Sequence, residues 1–211
     1  MFLTASQNTE PLDEIVANNP SYEILVTFDP VITPSATFYT GVWHTNPDYN
    51  NFVGQFGRSD PGDIAVIMLD QAPPGITPAS LPTAGLLDEL KADHVLLYIH
   101  FTAVGYGSVR DSQQTGWQAI HDNTYRNRVD QEALALTNAW ITLSMNPATG
   151  NGGTCYGDSG GPHLIHLNGV ETNIVAAITV FGDAQCKATD QDYRTDTMSA
   201  RSFLANYVTL P

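Results

Sequence analysis

The residue types best suited to chemistry lie in a glycine-rich stretch, residues 153–162, which reads GTCYGDSGGP. Glycines on both sides of Ser159 let the backbone turn sharply, so the serine hydroxyl can be exposed. The same turn can direct several main-chain N–H groups at one point, where they would stabilise a developing oxyanion. This pattern suits acyl transfer, because a glycine-rich turn without chemistry would not need the acid, the serine and the nearby cysteine together.

The stretch resembles the nucleophile loop of the trypsin family of serine proteases. By that resemblance Ser159 is the nucleophile, and the N–H groups of Gly157 and Ser159 form the oxyanion hole. Residues 62–69, GDIAVIML, resemble the family's strand that begins with the buried catalytic aspartate. Asp63 would hold a catalytic histidine in one tautomer and stabilise its imidazolium form. An isolated aspartate of this kind is often only a turn residue, but its order and spacing relative to Ser159 favour the catalytic role.

Further matches extend the resemblance from Leu3 to Tyr207. Residues 101–107, FTAVGYG, resemble a family strand that ends in a Gly-aromatic-Gly turn. The resemblance also implies that Cys155 and Cys186 form the disulfide beside the primary specificity pocket. The pocket residues that it implies are Gly153, Thr154, Val180, Phe181 and Gly182.

The floor of the implied pocket carries little charge. Gly153 stands where family members specific for basic residues carry an acid, so the resemblance implies an apolar or broad preference. Three aspartates close by in the sequence could change it, namely Asp183, Asp190 and Asp192. The implied activity is hydrolysis of a peptide or protein substrate through a Ser159 acyl-enzyme, without a cofactor.

The chain departs from the family at the catalytic base. Residues 2–9, FLTASQNT, line up with the family's Leu-Thr-Ala run, which places Gln7 at the histidine and Asn8 at the following cysteine. A neutral amide cannot accept the serine proton. No histidine follows a Leu-Thr-Ala run, and each is interpreted as a strand, turn or loop residue: His44, His94, His100, His121, His163 and His166.

Two further departures concern the partners of the acids. Val180 stands where the family usually has a serine that hydrogen-bonds the buried aspartate, so Gln7 is the main remaining partner expected for Asp63. The chain also begins at the would-be histidine strand, so the earlier strands and the N-terminal amine that pairs with Asp158 are expected to be missing. Three explanations are open: a truncated or mis-started gene, a degenerate protease, or a chain completed by a partner.

The elements that must position these residues are mostly strands. Short apolar or alternating runs, bounded by turn residues, are typical of β-sandwiches and barrels. They cover residues 22–28, 37–43, 64–69, 95–104, 139–145, 163–167 and 174–181. The Asn168-Gly169 pair predicts a hairpin. Helices are predicted at residues 86–91 and 197–207, the second with Ser199 as its cap.

Together with the resemblance, this pattern predicts an all-β fold of two six-stranded antiparallel barrels, the first incomplete, followed by a C-terminal helix. Residues 1–211 form one protease domain in this interpretation. Residues 1–110 form the incomplete N-terminal barrel, the polar residues 111–132 a linker, and residues 133–211 the C-terminal barrel and helix.

Composition excludes several classes of partner. Acidic residues outnumber basic ones 22 to 8, for a formal net charge of -14, so nucleic acid and anionic membrane surfaces are unfavourable partners. No apolar run reaches the ~18 residues of a membrane span, and the N-terminus lacks the features of a signal peptide. The two cysteines lack zinc-ligand spacing, so no metal is expected. The resemblance implies an extracellular protein, since the family is mostly secreted.

The sequence thus predicts a trypsin-like serine endopeptidase whose activity is impaired because Gln7 replaces the catalytic histidine. The alternative is an inactive pseudoprotease that keeps the peptide groove and serves as a peptide- or protein-binding module. The sequence does not indicate an oligomeric state.

Overall fold

The computed structural model of the protein describes residues 1–50, 60–110 and 120–211. The strands, in chain order, are β1 (Phe2–Thr4), β2 (Val26–Thr27), β3 (Phe38–Tyr39), β4 (Gly41–Thr45), β5 (Ala65–Leu69), β6 (His100–Gly105), β7 (Val109–Arg110), β8 (Ile120–His121), β9 (Asn127–Leu136), β10 (Trp140–Ser144), β11 (Pro162–Leu167), β12 (Val170–Gly182) and β13 (Thr189–Arg194). The α-helices are α1 (Ser6–Thr9), α2 (Leu12–Asn18), α3 (Leu86–Ala92) and α4 (Met198–Leu204).

Six strands close into an antiparallel barrel in the order β10-β13-β12-β11-β6-β9. Large apolar side chains fill it, among them Phe101, Ile141 and Ile165, which are fully buried. The predicted hairpin joins β11 to β12, with φ values of 54° at Asn168 and 76° at Gly169, the region that a tight hairpin turn needs. The prediction of a mostly β chain with a six-stranded barrel is therefore confirmed.

The N-terminal residues form a smaller, open sheet. In it β5 lies between β1 and β4, and β2 pairs with β3 separately. Val66 of β5 is opposite Leu3 on one side and His44 on the other. This part of the chain does not close into a barrel within the described residues, so a first barrel stays a prediction.

The sheet order differs from the predicted division of the chain in two places. β6, assigned to the N-terminal barrel, pairs with β9 and β11 inside the closed barrel. β9 begins at Asn127, within the predicted linker 111–132, of which residues 111–119 lie outside the described residues. The polar composition that suggested a linker comes from outward-facing side chains of this strand, such as the exposed Arg128 and Asp130.

Both predicted helices are present, as α3 and α4, whereas α1 and α2 were not predicted. The cap of α4 is Thr197, whose hydroxyl accepts the N–H of Ala200. The predicted cap, Ser199, is wrong because it lies inside the first turn. None of the helices formed by residues 1–50, 60–110 and 120–211 is long and apolar enough to cross a membrane.

A hydrophobic cluster joins the open sheet to the barrel and to α4. Ile64 and Val66 pack there with Ile178 of β12 and with Phe203 and Leu204 of α4, and each is buried. Because residue 63 directly precedes Ile64, this packing holds the predicted catalytic aspartate between the sheet and the barrel.

A buried arginine connects α3 to the barrel. Arg194, at the end of β13, is 1% exposed. It donates to both carboxylate oxygens of Asp196 at 2.9 Å and to Asp88 of α3 at 2.7 Å. Asp196 also accepts the N–H of Leu87 at 2.8 Å, so the same carboxylate holds the first turn of α3.

We expect Arg194→Met to lower the free energy of unfolding by about 3–5 kcal/mol, because Asp196 would stay buried without its cation. The matched control is Arg128→Met, which removes an ion pair of 2.6 Å with Glu171 at an exposed position and should cost less than ~1 kcal/mol. Urea denaturation measures both changes, and equal losses in the two variants would contradict the expectation.

Candidate active site

The Ser159 loop lies between β10 and β11 and depends on two glycines with positive φ. Gly157 has a φ of 96° and Gly160 a φ of 85°, a region that favours glycine. At Gly160 a Cβ would also lie 2.3 Å from Thr4 Oγ1 and 2.8 Å from the Ala5 nitrogen. The loop therefore lies directly against the N-terminal strand, which places Ser159 at the junction of sheet and barrel.

The carboxylate of Asp158 holds this loop through main-chain donors. It accepts the N–H of Gly107 at 2.7 Å and the N–H of Cys155 at 2.9 Å. A Cβ at Gly105 or Gly107 would collide with the carboxylate, so the Gly-aromatic-Gly turn is what admits the side chain. Burial raises the pKa of Asp158, and the two N–H bonds oppose that rise. Asp158 thus has partners here that do not depend on an N-terminal amine.

Two N–H groups of the loop remain available for a ligand. Gly160 donates its N–H to the Thr179 carbonyl at 2.7 Å. Across the described ranges, by contrast, the N–H groups of Gly157 and Ser159 donate no hydrogen bond. These are the two donors that the sequence predicts for the oxyanion hole. Gly157 is exposed and Ser159 is half-buried.

Asp63 is 3% exposed and is held by the main chain of α1. Its Oδ1 accepts the N–H of Gln7 at 2.9 Å, and the N–H of Ser6 also hydrogen-bonds to the carboxylate. The Ser6 hydroxyl donates to the Ile64 carbonyl at 2.8 Å, which fixes α1 on the start of β5. Burial raises the pKa of Asp63 to about 6, and the two main-chain bonds limit the increase.

The side chain of Gln7 reaches β12 rather than Asp63. Its Nε2 donates to the Val180 carbonyl at 2.7 Å. The expected pairing of the Gln7 side chain with Asp63 is therefore wrong, because the side-chain amide binds β12 and only the Gln7 main-chain nitrogen donates to Asp63. The next residue, Asn8, donates from Nδ2 to the Ser159 carbonyl at 2.7 Å. One short helix thus contacts Asp63, Val180 and Ser159.

Four of the six histidines are placed by ring contacts or by burial. His44 lies 5.0 Å from the ring of Tyr207, and His100 and His166 lie 6.1 Å from each other. His163 is fully buried in the barrel. The other two positions are His94, which follows α3, and His121, which lies in β8.

The glycines of the predicted pocket face Met145. A Cβ on Gly153 would lie 1.9 Å from Met145 Sδ, and a Cβ on Gly182 would lie 3.2 Å from Met145 Cε. Met145 is 2% exposed, so its thioether fills space beside both glycines. The sequence did not identify Met145, because its place after β10 carries no motif.

The other pocket residues lie on the same two segments. Thr154 is buried and donates its hydroxyl to Asp190 at 2.7 Å. Val180 is buried, whereas Phe181 is 44% exposed and its ring lies 5.2 Å from that of Trp140. The predicted disulfide between the two segments is confirmed, with the sulfurs of Cys155 and Cys186 bonded at 2.09 Å.

The three acids near the pocket have separate surroundings. Partial burial would raise the pKa of Asp183, but hydrogen bonds from four main-chain N–H groups lower it. The donors are Ala188, Thr189, Lys187 and Gln185, so this carboxylate organises a loop. Asp190 and Asp192 are both 0% exposed and lie inside the barrel. The sequence placed all three near the pocket but could not distinguish these environments.

We expect Asp63 to make the protein less stable as the pH rises from about 4 to about 6. Its pKa is raised to about 6 in the folded protein from ~3.9 in an unfolded chain. The folded state therefore binds more protons in this window, and stability falls as they are lost. Asp63→Asn should remove about 2–3 kcal/mol of this pH dependence. Urea denaturation at several pH values measures the free energy of unfolding of the unmodified protein and of Asp63→Asn. The same pH dependence in both proteins would contradict the expectation.

Comparison with protein-family models matches residues 35–202 to the family described as Trypsin. The matched segment covers about four-fifths of the 211 residues. It includes Asp63 and Ser159 and begins after α1, so Gln7 lies outside it. No curated protein matches the sequence. With most of its length matched, and with its mostly β architecture and closed barrel, this chain belongs to the trypsin family of serine proteases.

Proposed function

We propose that the chain carries a serine endopeptidase site in which Ser159 is the nucleophile and Gln7 occupies the place of the base. The observation that carries the proposal is the set of contacts made by α1. Its main chain binds Asp63, the Gln7 side chain binds the Val180 carbonyl, and Asn8 binds the Ser159 carbonyl. These contacts support the proposal that Gln7 stands where a catalytic imidazole would act.

The nucleophile side of the site supports peptide-bond chemistry. Attack of the Ser159 hydroxyl on a carbonyl carbon places negative charge on the carbonyl oxygen. The available N–H groups of Gly157 and Ser159 are suited to stabilise that charge. The main-chain bonds to Asp158 hold the loop in this form, so the donors need little rearrangement during the reaction.

The proton side of the site is deficient. As the new C–O bond forms, the Ser159 proton must pass to a base, and the leaving amine must later receive a proton. The Gln7 amide does neither, because its carbonyl oxygen is barely basic and its NH2 group does not titrate. Loss of a triad base typically lowers the rate by ~10⁴–10⁶, so we propose that the chain hydrolyses peptides very slowly at most.

A second candidate function, peptide or protein binding without turnover, is favoured by the edge of β12, which within the described residues is open at Phe181 and Gly182. Phe181 and Gly182 pair with β13 on one side, whereas pairing with β11 ends at Ile178. An extended peptide can add to such an edge through main-chain hydrogen bonds. Met145 beside Gly153 gives the proposed pocket an apolar lining, which suits an apolar residue of that peptide.

We also propose that the protein is extracellular. The Cys155–Cys186 disulfide is favoured by an oxidising compartment, which supports an extracellular protein that meets peptide or protein partners. The acidic chain, with a formal net charge of -14, is poorly suited to nucleic acid or to an anionic membrane surface.

We expect Gln7→His combined with Val180→Ser to increase fluorophosphonate labelling of Ser159 by at least ~10²-fold, the lower end of general-base contributions. Histidine would supply a base between Asp63 and Ser159, and serine would supply the hydroxyl that Asp63 lacks. Mass spectrometry of the labelled protein reports an activated serine without requiring the natural substrate.

Two controls define the result. Gln7→Asn with Val180→Ser changes the same positions without adding a base and should label as slowly as the unmodified chain. Ser159→Ala in the repaired protein should abolish labelling. If the unmodified chain labels as fast as the repaired one, Gln7 is not at the base position and the proposal is wrong.

A further inference from the structure

The barrel contains a cluster of ionisable side chains for which the proposed function has no use. It consists of His163 on β11 with Asp190 and Asp192 on β13, each 0% exposed. Their ligand atoms all lie within 4.8 Å of one another. Thr179, on the intervening strand β12, is directly opposite Asp192, so three neighbouring strands contribute polar atoms to one interior point.

The carboxylate of Asp192 faces His163, whose Nε2 lies 2.9 Å from its Oδ1. Apart from that contact, no donor within the described residues reaches either Asp192 oxygen, and His163 Nδ1 and Gln131 Oε1 have no hydrogen-bond partner there. Asp190 differs, since it accepts from Thr154 at 2.7 Å and from Gln131 at 3.0 Å. Buried polar atoms are nearly always satisfied, and an orphaned group commonly marks a water or an ion.

Charge balance favours a divalent cation at this point. A protonated His163 with two carboxylates would leave a net charge of about −1 in a site without solvent, which is strongly unfavourable. A divalent cation with a neutral imidazole brings the sum to zero.

The spacing of the donors also fits a metal ion. His163 Nε2 lies 2.9 Å from Asp192 Oδ1 and 2.9 Å from Thr179 Oγ1. Adjacent ligands of a six-coordinate ion with bonds of ~2.1 Å are separated by about 3.0 Å. One imidazole with carboxylate, hydroxyl and amide oxygens is a donor set that suits zinc or manganese.

We propose that His163, Asp190 and Asp192 bind one divalent transition-metal ion inside the barrel, with Thr179 Oγ1 and Gln131 Oε1 as neighbouring oxygen donors. Spacing along the chain does not predict such a site, because Asp190 and Asp192 lie 27 and 29 positions after His163 and the three meet only when the barrel closes. Thr154 links Asp190 to the proposed pocket, so the ion would brace that wall.

The test uses the full chain after treatment with a chelator. Because the cluster is fully buried, the protein is refolded from urea with zinc chloride or manganese chloride alone. We expect one equivalent of metal by elemental analysis and a higher melting temperature than in the metal-free protein. Asp192→Asn should weaken metal binding by at least ~10-fold, a loss seen even when only an outer partner of a ligand is removed.

The matched control is His166→Ala, which disrupts a second group of potential ligands, Asp130, His166 and Glu171, where Arg128 already pairs with Glu171. This variant should keep one equivalent of metal. If Asp192→Asn does not fold, His163→Gln takes its place, and the same loss of metal binding is expected. If neither variant folds, the metal content of His166→Ala decides between the two groups of potential ligands. Absence of metal binding in the unmodified chain, or binding lost in His166→Ala and kept in Asp192→Asn, would overturn the proposal.

Discussion

The buried carboxylate of Asp63 is the constraint from which the geometry of the site follows. Almost no water reaches it, and its donors are the main-chain N–H groups of residues 6 and 7. Those N–H groups converge only if the chain turns into α1 directly after β1. Once α1 is fixed in this way, Gln7 must extend toward β12 and Asn8 toward the Ser159 carbonyl. Satisfying one buried acid thus sets the positions of three residues around the nucleophile.

Asp158 is a second, half-buried acid, and it positions the nucleophile loop from the barrel side. Asp158 fills the space left by Gly105 and Gly107 and binds main-chain N–H groups of two segments. Neither acid relies on an ion pair within the described residues, so both are stabilised by fixed main-chain dipoles. Such an arrangement keeps the nucleophile loop formed whether or not a catalytic base is present. In our proposal, the chain therefore keeps its fold and its peptide-binding surface although it lacks turnover.

Local sequence signals predicted the parts of the site that depend on local conformation. Glycines that need positive φ, the cysteines and the apolar run after Asp63 each have a strong signature, and the hairpin at Asn168-Gly169 follows from the same logic. The features that the sequence did not predict have a different physical origin. β9 reads as a linker because its exposed residues are polar, and Met145 has no motif because only the folded barrel brings it to Gly153. The buried group around His163 is likewise a product of strand order, which spacing along the chain does not reveal.

The central claim is that a trypsin-family site without its base is assembled around Ser159. Its most direct measurement is prolonged incubation of the unmodified chain with a mixture of peptides, followed by mass spectrometry, with Ser159→Ala as the background. The account predicts that the two proteins give the same cleavage products at the same rates. Both rates should lie at least ~10⁴-fold below the rate of a protease with a complete triad. Cleavage that depends on Ser159 and proceeds at the rate of a complete protease would contradict it.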